Sequence, residues 1–91
     1  MKIEIRKKTI NDYAREELIK FCKENSISLT EETGSDGIAI VTLMIDNLPQ
    51  ILSALASFIV VIRGYGVIPK HNGNEVDQTY LERIKKEQND T

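Results

Sequence analysis

No charged residue stands between Asp46 and Arg63, and that run constrains this chain more than any other feature. Asn47 is placed to cap a helix, Pro49 suits a first turn, and apolar residues continue to Ile62 before Gly64 and Gly66. A helix is therefore predicted from Leu48 to Ile62. Ile51, Leu52, Leu55, Phe58, Ile59 and Ile62 recur at the spacing of a core-facing stripe. The opposite face carries Ser53, Ala54, Ser57, Val60 and Val61, small or apolar where a surface helix would be charged. Those five are the candidate interface residues. Ser53 and Ser57 have the small-x-x-x-small spacing that lets backbones approach. At ~25 cal/mol per Å², a few hundred Å² of such surface favours pairing by several kcal/mol before the costs of association. A homo-oligomer, by default a symmetric dimer, is the expected result.

A membrane would also select an apolar run. This one rises roughly 22 Å at ~1.5 Å per residue, short of the ~30 Å hydrocarbon core, and it holds Gln50, Ser53 and Ser57. The expectation is a helix buried on most sides within a soluble, cytoplasmic assembly, with no membrane partner. The opening Met1-Lys2-Ile3-Glu4 goes straight into strand-like alternation and lacks the pattern of a secretory leader.

A chain of 91 residues forms one domain, placed at 1–84, with a polar tail over 85–91. The net charge of −2 argues against nucleic acid, whose phosphates are bound by clustered Lys and Arg. Cys22 is the only cysteine, so there is no internal disulfide and no cysteine-rich metal site.

Lys2 to Arg6 alternates as a strand with one buried face. A helix capped by Asn11 or Asp12 follows, placing Ala14, Leu18, Phe21 and Cys22 on its inner side, with a left-handed closing turn expected at Asn25. Ile27 to Thr30 reads as a short strand and Glu31 to Gly37 as an exposed hairpin loop. Ile38 to Ile45 is nearly all apolar, which suits a strand covered on both faces. Beyond the central helix, Asn72-Gly73 signals a hairpin, and Pro69 puts it at a sheet edge. Thr79 to Glu82 matches a capping box for a short final helix. The order gives an α+β, ferredoxin-like βαββα sandwich followed by an edge β-hairpin and a short C-terminal helix. Its helix-free sheet face is expected to be apolar and to invite a second copy.

Chemistry has few carriers. Cys22 falls on an apolar helix face, His71 is the only histidine, and Asp36, Asp46 and Asp77 adjoin turns where capping accounts for them. No phosphate loop or nucleophile elbow is present in the sequence, so no catalytic residue, metal or cofactor is assigned and the chain is read as a non-enzyme. The candidate ligand-binding residues are Arg63, Tyr65, Lys70, His71 and Asn72, with Asn74 beside them, a set able to hold a small anionic or nucleotide-like ligand. Glu31, Glu32 and Asp36 form a second candidate surface, for a basic partner.

The helix ending in Arg63, the hairpin around Asn72-Gly73 and the opening strand and helix together resemble the effector-associated constant components of bacterial conflict systems. The resemblance lies in the layout and covers about two thirds of the chain. It implies a small accessory domain beside immune effectors, in bacterial or phage defence or counter-defence, and it assigns no residue. The expected function is a non-catalytic, homo-oligomeric interaction module that docks a partner protein. The alternatives are sequestration of a small anionic ligand between subunits and a purely structural scaffold subunit.

Overall fold

The computed structural model describes residues 1–89. Among them, β1 (Lys2–Lys7), α1 (Asp12–Glu24), β2 (Ser28–Thr33), β3 (Ala39–Met44), α2 (Leu48–Gly64), β4 (Lys70–His71), β5 (Asn74–Glu75) and α3 (Gln78–Asn89) follow in order. The chain is α+β, as its element pattern predicts. Its antiparallel sheet runs β2-β3-β1-β4-β5, so β3 lies between β1 and β2, the two strands that α1 joins.

Register fixes which side chains meet the helices. Ile3 pairs with Leu43 and Ile5 with Val41, and all four are buried. Onto them α2 lays Ile51, Leu52, Leu55, Phe58, Ile59 and Ile62, the predicted stripe, and α1 lays Ala14, Leu18, Phe21 and Cys22. Phe21 and Phe58 stack with ring centroids 4.1 Å apart, tying the two helices together. Val67, Val76 and Leu81 close the core below the hairpin and α3.

The ends of the elements follow local chemistry. Gly66, at φ 79, ends α2: its N–H donates to Arg63 O at 3.0 Å and that of Val67 to Ile62 O at 3.2 Å, the paired bonds of a left-handed cap. Asn72 and Gly73 both have positive φ, so the predicted two-residue turn joins β4 to β5. Three capping expectations are corrected. The left-handed residue after α1 is Ser26, not Asn25. Asn47 makes no side-chain cap; its amide instead reaches Asn25 O at 3.4 Å. Asp77, not Thr79, caps α3, accepting from Tyr80 N at 2.8 Å.

Two strand expectations also change. β2 continues through Glu31, Glu32 and Thr33, which pair with Val41, Ile40 and Ala39, so the loop shrinks to the Gly34–Ile38 turn. Pairing with an apolar neighbour strand outweighs the polar composition of that stretch. β3 is covered on one face only. Its outer residues Ile40 and Thr42 are half-buried and Met44 exposed, beside Lys2, Glu4 and Arg6 of β1 and Ser28, Thr30 and Glu32 of β2. The outer face is therefore mixed and charged rather than apolar, because the strands flanking β3 alternate. The stretch 85–91 enters α3 as far as Asn89, with Lys85, Lys86 and Glu87 exposed; residues 90 and 91 lie outside the described residues.

Candidate functional site

Seventeen residues of α2 bury one face and leave the other open. Ser53, Ala54, Ser57, Val60 and Val61 are all exposed, Val60 at 60% and Val61 at 46%. They lie at successive turns of one helix side, with Gln50 at the start of the row and Gly64 at its end. Beside them, a hollow of about 110 Å³ between α2 and α3 is lined by Leu52, Ser53, Ala56 and Leu81, with Gln78, Glu82 and Lys85 on its α3 side. The stripe holds no charge, and its polar side chains are those of Gln50, Ser53 and Ser57. Small side chains in its first half and two valines in its second make a shallow slope that a second helix can approach closely. No helix among the described residues is long and apolar enough to cross a membrane.

The five candidate ligand residues do not converge. Lys70 and His71 are neighbours on β4 and project to opposite faces. Lys70 joins Glu4, Arg6, Ile68 and Glu75 around an open groove of about 680 Å³ on the outer sheet face. His71 turns to the helix side, where its Nδ1 is hydrogen-bonded to the Tyr80 hydroxyl and the rings meet edge to face at 5.8 Å. Arg63 is held by Val76 O at 3.4 Å and by Glu75 at 3.8 Å. Tyr65 is 40% exposed at the end of α2, and Asn72 occupies the hairpin turn. The groove sets two cations, Arg6 and Lys70, against two carboxylates, Glu4 and Glu75, and Glu4 is further paired with Lys2 at 3.7 Å and Arg6 at 3.9 Å. A balanced lining of this kind gives an anion no net attraction.

Glu4, Arg6, Ile68, Glu75 and Tyr80 escape the sequence reading of the site. The alternation of β1 does place Glu4 and Arg6 on one face, but nothing local shows that the hairpin lies beside that strand. The acidic candidates also have local partners. Glu31 pairs with Arg15 of α1, which raises the Arg15 pKa above its ordinary value mainly through that hydrogen bond, and Asp36 accepts from Ile38 N at 3.0 Å. Only Glu32 of the three stands free on the sheet, without a side-chain partner among the described residues.

Cys22 is 3% exposed, and burial pushes its thiol up to about 11, which makes it a poor nucleophile at neutral pH. No group of three or more metal-ligating side chains occurs among the described residues. Comparison with protein-family models, curated proteins and solved structures finds no match to this chain.

Proposed function

We propose that this protein is a non-catalytic interaction module, homo-oligomeric in its working form, that docks a helix of a partner protein on the exposed face of α2. The observation that carries this reading is the uncharged stripe Ser53, Ala54, Ser57, Val60 and Val61, which the fold leaves open to solvent. Apolar stripes rimmed by polar residues are where soluble proteins meet partners. A helix is the occupant that suits it, because small residues one turn apart admit a second backbone and the adjoining hollow between α2 and α3 receives a side chain from it. The layout resemblance to effector-associated constant components is what favours a partner from bacterial or phage defence or counter-defence. The dispersal of Arg63, Lys70 and His71 over different faces favours protein docking over capture of a small anion.

The test is affinity capture from cells with wild type, Ala54→Arg, Val61→Glu and Lys70→Ala as baits, quantified by mass spectrometry. A partner retained by wild type and Lys70→Ala but lost from both α2 variants supports the reading. Equal recovery by all four baits defeats it.

A further inference from the structure

The sheet ends on one side in β5, two residues long, and on the other in β2, six residues long. β2 pairs with β3 without a break from Ser28 to Thr33, and its other edge meets no strand among the described residues. Natural edges are usually shortened, bulged, or blocked by Pro or Lys. β2 has no Pro, Lys or bulge and is six residues long; its charges are Glu31 on the helix side, matched by Arg15, and Glu32 on the outer face. The direction of its free backbone groups follows from the ladder. Gly34 N donates to Ile38 O at 3.0 Å, so in the alternating antiparallel pattern residues 32, 30 and 28 bond to β3. The N–H and C=O groups of Leu29, Glu31 and Thr33 therefore point outward.

We propose that this edge is the homodimer interface: β2 pairs antiparallel with β2 of a second copy about a two-fold axis at Thr30, continuing one sheet through both subunits. The inference goes beyond α2 docking and does not depend on it. Side chains must stay on their own sheet faces, which allows the axis to fall on a residue and not between two. On Glu31 it would set like charges opposite each other. On Thr30 it sets Glu31 opposite Leu29 and Glu32 opposite Ser28 of the partner, with Thr30 against its own copy.

Charge on α1 selects a second copy as the occupant. The Arg15–Glu31 pair and the hollow shared by Ile19 and Leu29 show that α1 runs antiparallel to β2, early helix beside late strand. The exposed charges of α1 are acidic in its first half, at Asp12 and Glu16, and net basic in its second, where Lys20 and Lys23 outnumber Glu24. A two-fold axis at Thr30 brings the acidic half of each α1 toward the basic half of the other. Ile19, 52% exposed, lies near that axis and gains apolar cover. Two α2 faces remain open on the dimer.

Native mass spectrometry and sedimentation at high micromolar concentration test this with Glu31→Pro, Glu31→Ala and Thr30→Cys. Glu31→Pro removes an outward N–H and leaves the β2–β3 ladder whole, whereas Glu31→Ala keeps that N–H. The expected result is a wild type of twice 10.3 kDa, a dimeric Glu31→Ala, a monomeric Glu31→Pro with unchanged circular dichroism, and a disulfide-linked dimer of oxidised Thr30→Cys. A monomeric wild type, or a Glu31→Pro protein that stays dimeric, overturns the proposal. If Val61→Glu dissociates a dimer that Glu31→Pro leaves intact, the self-interface is α2 and not β2.

Discussion

Ser26 holds a left-handed backbone at φ 56, a conformation that costs a residue with a Cβ about 1 kcal/mol and glycine almost nothing. The geometry is enforced by Ile27 N, which reaches back to Cys22 O at 2.9 Å to close α1. Ser26→Gly is accordingly expected to raise stability by about 0.5–1 kcal/mol, read as a higher melting temperature. The sequence pointed to Asn25 because Asn tolerates that region better than Ser, but where the helix stops is set by where Ile27 must turn into the core. Cys22 yields a pH prediction. Burial raises its thiol from 9.0 to about 11, so between those values the folded chain keeps a proton that the unfolded chain has lost. Its contribution is complete below about pH 9 and falls as pH rises toward 11, by about 2–3 kcal/mol in the limit. Chemical denaturation across that range should show a steeper alkaline decline for wild type than for Cys22→Ala. At pH 8 the native thiol should resist a disulfide-exchange reagent until denaturant is added.

At the scale of elements, the start of α3 shows what a motif can and cannot reveal. Thr79 and Glu82 satisfy the spacing of a capping box, yet the helix begins at Gln78 because Asp77 lies two residues nearer the hairpin and its carboxylate reaches Tyr80 N. Asp77→Ala should cost about 1 kcal/mol, whereas Thr79→Ala should stay within about 0.5 kcal/mol, both measured by denaturant titration. Equal effects would restore Thr79 as the cap. α2 was legible in its buried stripe, its Pro49 start and its Gly66 stop, local signals that agree, but not in its cap, since Asn47 makes no side-chain bond there, nor in its last turn, which runs on through Gly64. β2 was legible only as far as Thr30. Its last three residues, Glu31, Glu32 and Thr33, are turn-like and polar in composition, and they are held extended by β3, a partner that lies across the hairpin.

For the whole molecule, the sheet order decides which surfaces remain open, and that order is a long-range property no single stretch displays. The α2 stripe could be named from the sequence because one helix carries it. The outer groove could not, because β1 contributes Glu4 and Arg6 while the hairpin contributes Lys70 and Glu75. The free β2 edge was hidden for the same reason. The two surfaces proposed for contact differ in physics, and salt separates them. Docking on α2 buries mainly uncharged side chains, with Glu82 and Lys85 at the α3 side of the adjoining hollow, so screening has little to weaken there, and salts excluded from the protein surface strengthen it. Pairing at β2 draws on Asp12 and Glu16 of one α1 facing Lys20 and Lys23 of the other, exposed charges whose attraction is screened over a Debye length of ~10 Å at 0.1 M and ~3 Å at 1 M. Raising sodium chloride across that range should therefore weaken the dimer several-fold and leave partner capture unchanged or improved, when both are measured by sedimentation on the same protein. Lys23→Glu should weaken the dimer at low salt and bring it close to wild type at high salt, since the repulsion it introduces is screened away with the attraction it removes. A dimer indifferent to salt and to Lys23→Glu would place α1 outside the interface and leave the backbone of β2 to hold the two copies alone.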